Sequence, residues 1–499
     1  MHSLQNTTLL SSSTETDPPF VWVPSSTTRG TLQILSLCAS TTLICIWSAV
    51  HRDIPSRRLT GLHPYALQAT WVFAAFFLPE FVFAHALKQL LRARSLVTKF
   101  SKNRDVTHWL SFWRRREGEA DNFNGDGTSM DKEALIIHDV KCQSFTLAHA
   151  FYTIMGGYAF DVDAPTAETG DNERIRAIIG PTGVQFLMEH DPELCPDFSP
   201  SSIAARSNSN GLNKALLILQ LLWFCTSCVS RIASRLPLTL LEVVTAAHGL
   251  CTLATYAAWW HKPLNVEEPT LIMGEHAREA YALYRMIQRD DIELLREASR
   301  TVSSVDVQPD SQTELALALR ATLRYGISDT DLQSLMDDPR LVVLPTESRS
   351  MIKNATDLIN GLLSPISSGK SYAPSVVAMM SLTAVYGSVH LFGWNSQFPT
   401  QVERILWRIA TVSICSSGTN FIVFSLLFAF LGGFAEAILH WDVGDFVKIF
   451  WAYCIIPFTI LLYLLGDLYL LVESIRQLFY LPSEAFVTAS WSNYFPHFS

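Results

Sequence analysis

The chain has 499 residues, of which 49% are apolar and only 17% charged, and its formal net charge is −9. A soluble domain is nearer about one quarter charged, so the balance points to a bilayer, and the acidic total leaves no footprint for nucleic acid. No Gly-rich phosphate loop, zinc-type Cys/His spacing or Cys-centred haem pattern occurs, so neither a cofactor nor a metal is expected.

Crossing about 30 Å of hydrocarbon takes about 20 apolar residues as a helix. Segments 31–50, 65–87, 212–233, 237–260, 371–394, 407–435 and 447–472 meet that length. They predict an all-α polytopic transmembrane bundle of about seven spans. Residues 1–30 are Ser/Thr-rich around Pro18-Pro19 and read as a disordered tail without a cleaved signal peptide. Span 31–50 then serves as an uncleaved signal anchor, and spans one and two occupy 31–87. Glu80 follows Pro79 inside the second span.

The region 88–211 is polar and carries Arg114-Arg115-Arg116. Within it, Asn122–Glu133 has oxygen ligands near calcium-loop spacing. Asn stands at its first position and Ser129 where an apolar residue normally packs, so a disordered acidic loop is expected instead. Residues 142–160 are uncharged and predict an interfacial or buried helix.

Spans three and four occupy 212–260. Cys225 and Cys228 have redox spacing but lie in an apolar helix, where cysteine acts as a small hydrophobe. Glu242 sits near the start of the fourth span with no cation within a helical turn. That leaves a substrate-facing role or an interhelical hydrogen bond. His248 is six residues on and faces away from it. Trp259-Trp260-His261-Lys262 reads as an interfacial anchor. The region 261–370 predicts helices over 275–300, 313–324 and 329–336, with no strand pattern. Its Asp290-Asp291 lacks the spaced third carboxylate of a diphosphate–metal box.

Spans five to seven occupy 371–472, and the tail is 473–499. His390 closes the fifth span, and Arg404 and Arg408 share a face at the start of the sixth. They form either an interfacial anchor or a cationic rim for an anionic or carbonyl substrate. Asp467 interrupts the last span, and Glu473 and Arg476 are placed for an i,i+3 ion pair. Orientation follows Lys and Arg. Region 88–211 holds 14 of them and region 261–370 holds 12. Both regions are therefore expected in the cytosol, with a cytosolic N-terminus.

Five blocks carry a resemblance: Thr41–Pro55, Phe145–Phe160, Leu236–Asn265, Gly387–Arg408 and Leu468–His497. Together they resemble a large family of filamentous-fungal polytopic membrane proteins without a generally established activity. Residues 117–134 depart from it as an insertion. Some members accompany natural-product gene sets, one of the sordarin type. There the resemblance implies a cyclisation of a terpenoid intermediate, of intramolecular Diels–Alder type. Such a reaction needs a shaped apolar cavity and a hydrogen-bond donor rather than a nucleophile. The candidate donors or orienters are Glu242, His248, His390, Arg404 and Arg408.

The expected protein is thus a multi-pass cyclase of endomembrane or plasma membrane. Its expected partners are lipid, an apolar small molecule and other membrane-bound pathway enzymes. The alternatives are a metabolite transporter using Glu80, Glu242 and Asp467, or a membrane scaffold or receptor. The orientation predicts that sequons Asn6-Thr7-Thr8 and Asn354-Ala355-Thr356 carry no glycan. An endoglycosidase-sensitive mobility shift abolished by Asn354→Gln reverses the orientation.

Overall fold

The computed structural model describes residues 29–54, 63–121, 145–163, 174–191, 194, 200–207, 211–264, 266–301, 313–327, 335–336, 341–343, 373–439, 454 and 456–488. The loop 122–133, both sequons, most of the expected tail 1–30, and residues 329–334 of the expected third helix lie outside them.

In chain order the elements are α1 (Thr31–Ala49), α2 (His63–Phe77), α3 (Pro79–Asp121), α4 (Leu147–Ile154), β1 (Tyr158–Asp163), β2 (Arg174–Ile179), α5 (Pro181–His190), α6 (Pro200–Arg206) and α7 (Gly211–Ala233). They continue with α8 (Leu240–Ala258), β3 (Thr270–Ile272), α9 (Glu275–Gln288), α10 (Ile292–Thr301), α11 (Glu314–Tyr325), β4 (Val342–Val343), α12 (Ala373–Val389), α13 (Gln401–Leu439) and α14 (Ile456–Arg476). The chain divides into unit 1 (Met1–Leu43, Gln220–Gly249, Thr383–Ser499) and unit 2 (Ile44–Leu219, Leu250–Leu382).

The protein is mostly helical, but the all-α expectation needs correction. Unit 2 contains a four-stranded sheet, in the order β3-β1-β2-β4, among the described residues. β1 pairs antiparallel with β2, with Asp161 opposite Arg176 and Asp163 opposite Arg174. Opposite charges in register favour this pairing, while Phe160, Val162, Ala177 and Ile179 turn to the core. β3 lies parallel to β1, and β4 antiparallel to β2. The strands of regions 88–211 and 261–370 thus build one sheet.

The apolar run 142–160 ends as a helix at Gly156-Gly157. Gly156 has φ +88°, a conformation that favours glycine. A Cβ on Gly157 would run into the Tyr152 ring. The eight-residue α4 is accordingly buried, and the chain continues as β1. Phe160 meets Tyr281 and Tyr284 of α9 edge-on, and the Tyr284 hydroxyl donates to the Gly183 carbonyl at 2.7 Å. Glu279 of α9, also buried, pairs with Arg320 and Arg324 of α11 at 3.5 and 3.0 Å.

Four helical segments are long and apolar enough to cross a membrane among the described residues: Thr31–Ser48, Ala215–Ala233, Leu240–Ala258 and Pro457–Phe479. The expected second span is broken. Gln68–Phe77 and Pro79–Ser101 meet at 109°, because Pro79 lacks a backbone N–H and drives Leu78 out of helical geometry. The segment expected as the fifth span is the 17-residue α12 followed by a 3-10 turn at His390–Gly393, and it is not among these candidates, so the described residues give four spans, or five with the bent pair, rather than seven. α13 is 39 residues long. α14 exposes Phe458, Leu461, Leu462, Leu465, Leu468 and Val472, an apolar surface of the kind that marks membrane contact.

The segment expected to anchor at the interface, Trp259–Lys262, is divided: Trp259 and Lys262 are interior to unit 2, and Trp260 and His261 are exposed. Lys262 is buried and donates to the His51 carbonyl at 2.7 Å, Asp53 Oδ1 at 2.7 Å and Gln89 Oε1 at 2.9 Å. Trp259 Nε1 donates to the same Gln89 oxygen at 2.9 Å. Three acceptors satisfy the ammonium, so the sequence places a charge indoors rather than at a headgroup; Trp260 alone of the two tryptophans is exposed. Burial pulls the Lys262 ammonium down from its usual range, against the opposing pull of Asp53. Burial would raise the Asp53 carboxyl, but Lys262 and His85 outweigh it and hold the group below its ordinary value.

Because the Asp53 side chain is 41% exposed and that of Lys262 is 0% exposed, the two should not be equivalent. Asp53→Ala strands a buried ammonium and should cost about 3 kcal/mol, while Lys262→Met should cost less. Asp53 contributes stability above its unfolded pKa, and that contribution is lost as pH falls through the lower folded value. Thermal unfolding of the detergent-solubilised chain against pH should show this acid limb in wild type and not in Asp53→Asn. An identical limb in both contradicts the assignment.

Candidate functional site

Unit 1 gathers its polar side chains at two levels of α8. At the helix start, Thr239-Leu240-Leu241-Glu242 forms a capping box. The Thr239 backbone N–H and hydroxyl donate to Glu242 Oε2 at 2.9 and 3.0 Å, and the Glu242 N–H donates to Thr239 Oγ1 at 3.2 Å. This satisfies donors that a helix N-terminus otherwise leaves orphaned. Glu242 Oε1 is 2.6 Å from Arg29, and both residues are buried. The Leu240 N–H donates to Gln477 Oε1 at 3.2 Å, and Gln477 Nε2 donates to the Gln397 carbonyl at 2.9 Å.

Arg231 closes the same corner. Its guanidinium donates to the carbonyls of Pro237, Ala485 and Val487 at 2.9–3.2 Å, and the Arg29 N–H donates to the Phe486 carbonyl at 3.0 Å. Glu242 is therefore paired with Arg29 and engaged in the cap at the start of α8. The cation that local sequence lacks is supplied by Arg29, more than two hundred positions away.

Deeper in the helix, His248 Nδ1 donates to the Val244 carbonyl at 3.1 Å and lies 3.4 Å from the Tyr386 hydroxyl. That hydroxyl donates to Asp467 Oδ1 at 3.0 Å. His248, Tyr386 and Asp467 are all buried, and they come from α8, α12 and α14. One turn beyond Tyr386, His390 Nδ1 donates to the Tyr386 carbonyl at 3.0 Å. That fixes the tautomer and leaves Nε2 a bare acceptor; it has no hydrogen-bond partner among the described residues. The Trp407 indole donates to the His390 carbonyl at 3.3 Å. Gly387 permits this convergence, because its Cβ would stand 2.5 Å from the Cys415 backbone nitrogen.

The two arginines expected as a rim have different surroundings. Arg408 donates to the Trp394 carbonyl at 3.2 and 3.3 Å and stacks over the Trp394 ring, so it caps the 3-10 turn. Arg404 is half-buried, with no side-chain partner among the described residues. Arg476 bridges Glu473 at 3.0 Å and Glu403 at 2.6 Å. Burial would raise the Glu403 carboxyl, but hydrogen bonds from Arg476 and Thr400 hold it below its usual range.

Of the five residues expected to act together, the structure brings His248 and His390 around one tyrosine. Glu242 goes to a structural corner, and Arg404 and Arg408 to the helix entrance. Tyr386 was not anticipated: a tyrosine within an apolar span carries no local mark. The chain His248–Tyr386–Asp467 can pass or share a proton, and His390 Nε2 can accept one. Among the described residues, no three His, Cys, Asp or Glu side chains lie together as a metal group.

Glu242→Ala should cost about 3–5 kcal/mol by leaving Arg29 buried without its counter-ion. Glu242→Gln, which keeps an oxygen for the cap, should cost less. Adding Arg29→Ala to Glu242→Ala should recover part of the loss in a detergent thermal-shift cycle. Strictly additive losses refute the pairing.

No curated protein and no solved structure matches the chain. One family model, described as a family of unknown function (DUF8562), matches residues 3–301 and 349–498. The match spans most of both units, and the chain belongs to this family.

Proposed function

We propose that this is a multi-pass membrane protein that acts on an apolar small molecule in unit 1, with Tyr386 and His390 as its polar contacts. The reaction we assign is a cyclisation of intramolecular Diels–Alder type on a terpenoid intermediate. The observation behind it is the buried Asp467–Tyr386–His248 chain, with the unpartnered His390 Nε2 beside it, in helices whose outer faces are apolar. A cycloaddition asks for holding geometry and a hydrogen bond rather than a covalent intermediate. Polarising a dienophile carbonyl requires the Tyr386 O–H to turn from Asp467 to the substrate, while the bare His390 nitrogen can orient a hydroxyl.

Transport is the second reading, and Asp467 favours it. Ionisable groups inside membrane helices mark proton or substrate paths, and this one lies in a hydrogen-bonded chain. Glu242, engaged with Arg29 and Thr239, is not the carboxylate that either reading needs. The shared sheet of the two polar regions supports their lying on one side, which we take to be the cytosolic side of an endomembrane or the plasma membrane.

Metabolite profiling after gene disruption separates the readings. A cycloaddition conserves mass, so the disrupted host should accumulate an isomer of equal mass but different retention in place of the cyclised product. Complementation with Tyr386→Phe should restore little of the product. A product still made but retained in the cells favours transport. Unchanged profiles and secretion sink both.

A further inference from the structure

The α2–α3 corner, in unit 2, has a consequence for the membrane surface. α3 leaves α2 at 109°, so with α2 standing in the bilayer α3 runs close to the bilayer plane. One face of α3 is committed to the core of unit 2: Ala93, Leu96 and Phe100 are buried in it, and Phe100 stacks on Phe145 at 4.0 Å. The other face is basic. From Lys88 to Arg104 the sequence has six Lys or Arg and no Asp or Glu. Arg92, Arg94 and Lys99 are exposed, with no ion-pair partner among the described residues.

A solvated helix face normally alternates charge sign or carries i,i+4 pairs. Here one sign runs on through five helical turns without an Asp or Glu in the segment, on a helix whose first turns are apolar. The net charge of the chain is −9, so the patch stands against the overall balance. Basic segments beside a membrane-inserted helix are attracted to anionic headgroups by about 1 kcal/mol per residue. Arg92 and Lys99 are seven residues apart and share one side of the helix, and Arg94 projects from the far side of the exposed face, so the three long side chains bracket that face and can reach headgroups from both of its edges.

We infer that the basic face of α3, centred on Arg92, Arg94 and Lys99, binds the anionic headgroups of the same bilayer that holds the apolar helices. This rests on the reading as a membrane protein and is independent of the proposed cyclisation. Lipid binding there fixes the depth and tilt of unit 2 at the membrane surface, and it makes unit 2 responsive to the phosphatidylserine content of the leaflet.

The test is native mass spectrometry of the full chain released from micelles doped equally with phosphatidylserine and phosphatidylcholine. Wild type should retain phosphatidylserine preferentially. The triple substitution Arg92→Gln, Arg94→Gln, Lys99→Gln should lower that preference roughly a hundredfold, and high salt should weaken it in wild type. Arg92→Lys with Arg94→Lys keeps the charge and should keep the preference, which separates a surface effect from misfolding. No preference in wild type, or an equal one in the triple variant, overturns the proposal. So does full competition by inorganic phosphate, which indicates a site for a free anion. If the chain instead stays in solution without detergent, the membrane reading fails, whatever the lipid result.

Discussion

The buried Glu242 carboxylate is the point from which unit 1 is organised. Each of its interactions fastens a different part of the chain to the start of α8: Thr239 from the preceding turn and Arg29 from the approach to α1. Gln477, at the end of α14, bonds to the same turn. A charge in this setting is tolerated only with its counter-ion and hydrogen bonds in place. The helices that carry these partners are therefore held together by the electrostatics of one carboxylate as well as by their apolar faces. Arg231 repeats the device with neutral partners, collecting carbonyls from the turns on either side.

Unit 2 solves the same problem with the opposite charge. The Lys262 ammonium lies at the junction of α8 with the loop before α9, and its acceptors come from the His51–Asp53 segment and from α3. Like Glu242, it joins segments far apart in sequence. In both units a single ion fixes which helices are neighbours, while the apolar residues around it, such as Ile34 and Phe224 in unit 1 or Phe151 and Phe160 in unit 2, determine how closely they pack. Tyr386 occupies the middle of such a polar arrangement, yet it links a carboxylate to an imidazole rather than closing a full charge pair. That leaves it suited to exchange a proton.

Hydropathy reveals the long apolar helices because the signal is additive along one segment. The i,i+3 pair Glu473–Arg476 is equally local and equally visible. The capping box at Thr239 and Glu242 has a spacing that could have been read, and it would have assigned Glu242 a structural role. The Arg29 pairing could not have been, since nothing in the neighbourhood of either residue specifies the other. The sheet was hidden for a different reason. β3 has three residues and β4 two, too few to show a period, and β1 follows an apolar helix that masks its alternation. Its charge register, Asp161 against Arg176 and Asp163 against Arg174, becomes meaningful only once the strands are known to be partners. Within the tryptophan–lysine segment, Lys262 is not legible as buried, because an exposed anchor and a buried, fully bonded lysine share one composition.

The sheet of unit 2 also dictates an order of synthesis. β1 and β2 are made first, but the parallel partner of β1 is β3, which emerges only after α7 and α8. The ribosome must deliver two apolar helices before the edge of β1 is covered. Until then the nascent chain carries an open strand edge, the kind of surface that pairs with the wrong partner. Non-local pairing of this type is slow to form. A delay in the synthesis of α7 and α8 thus lengthens the time for which the edge of β1 stands open, and it would be felt first in the sheet of unit 2.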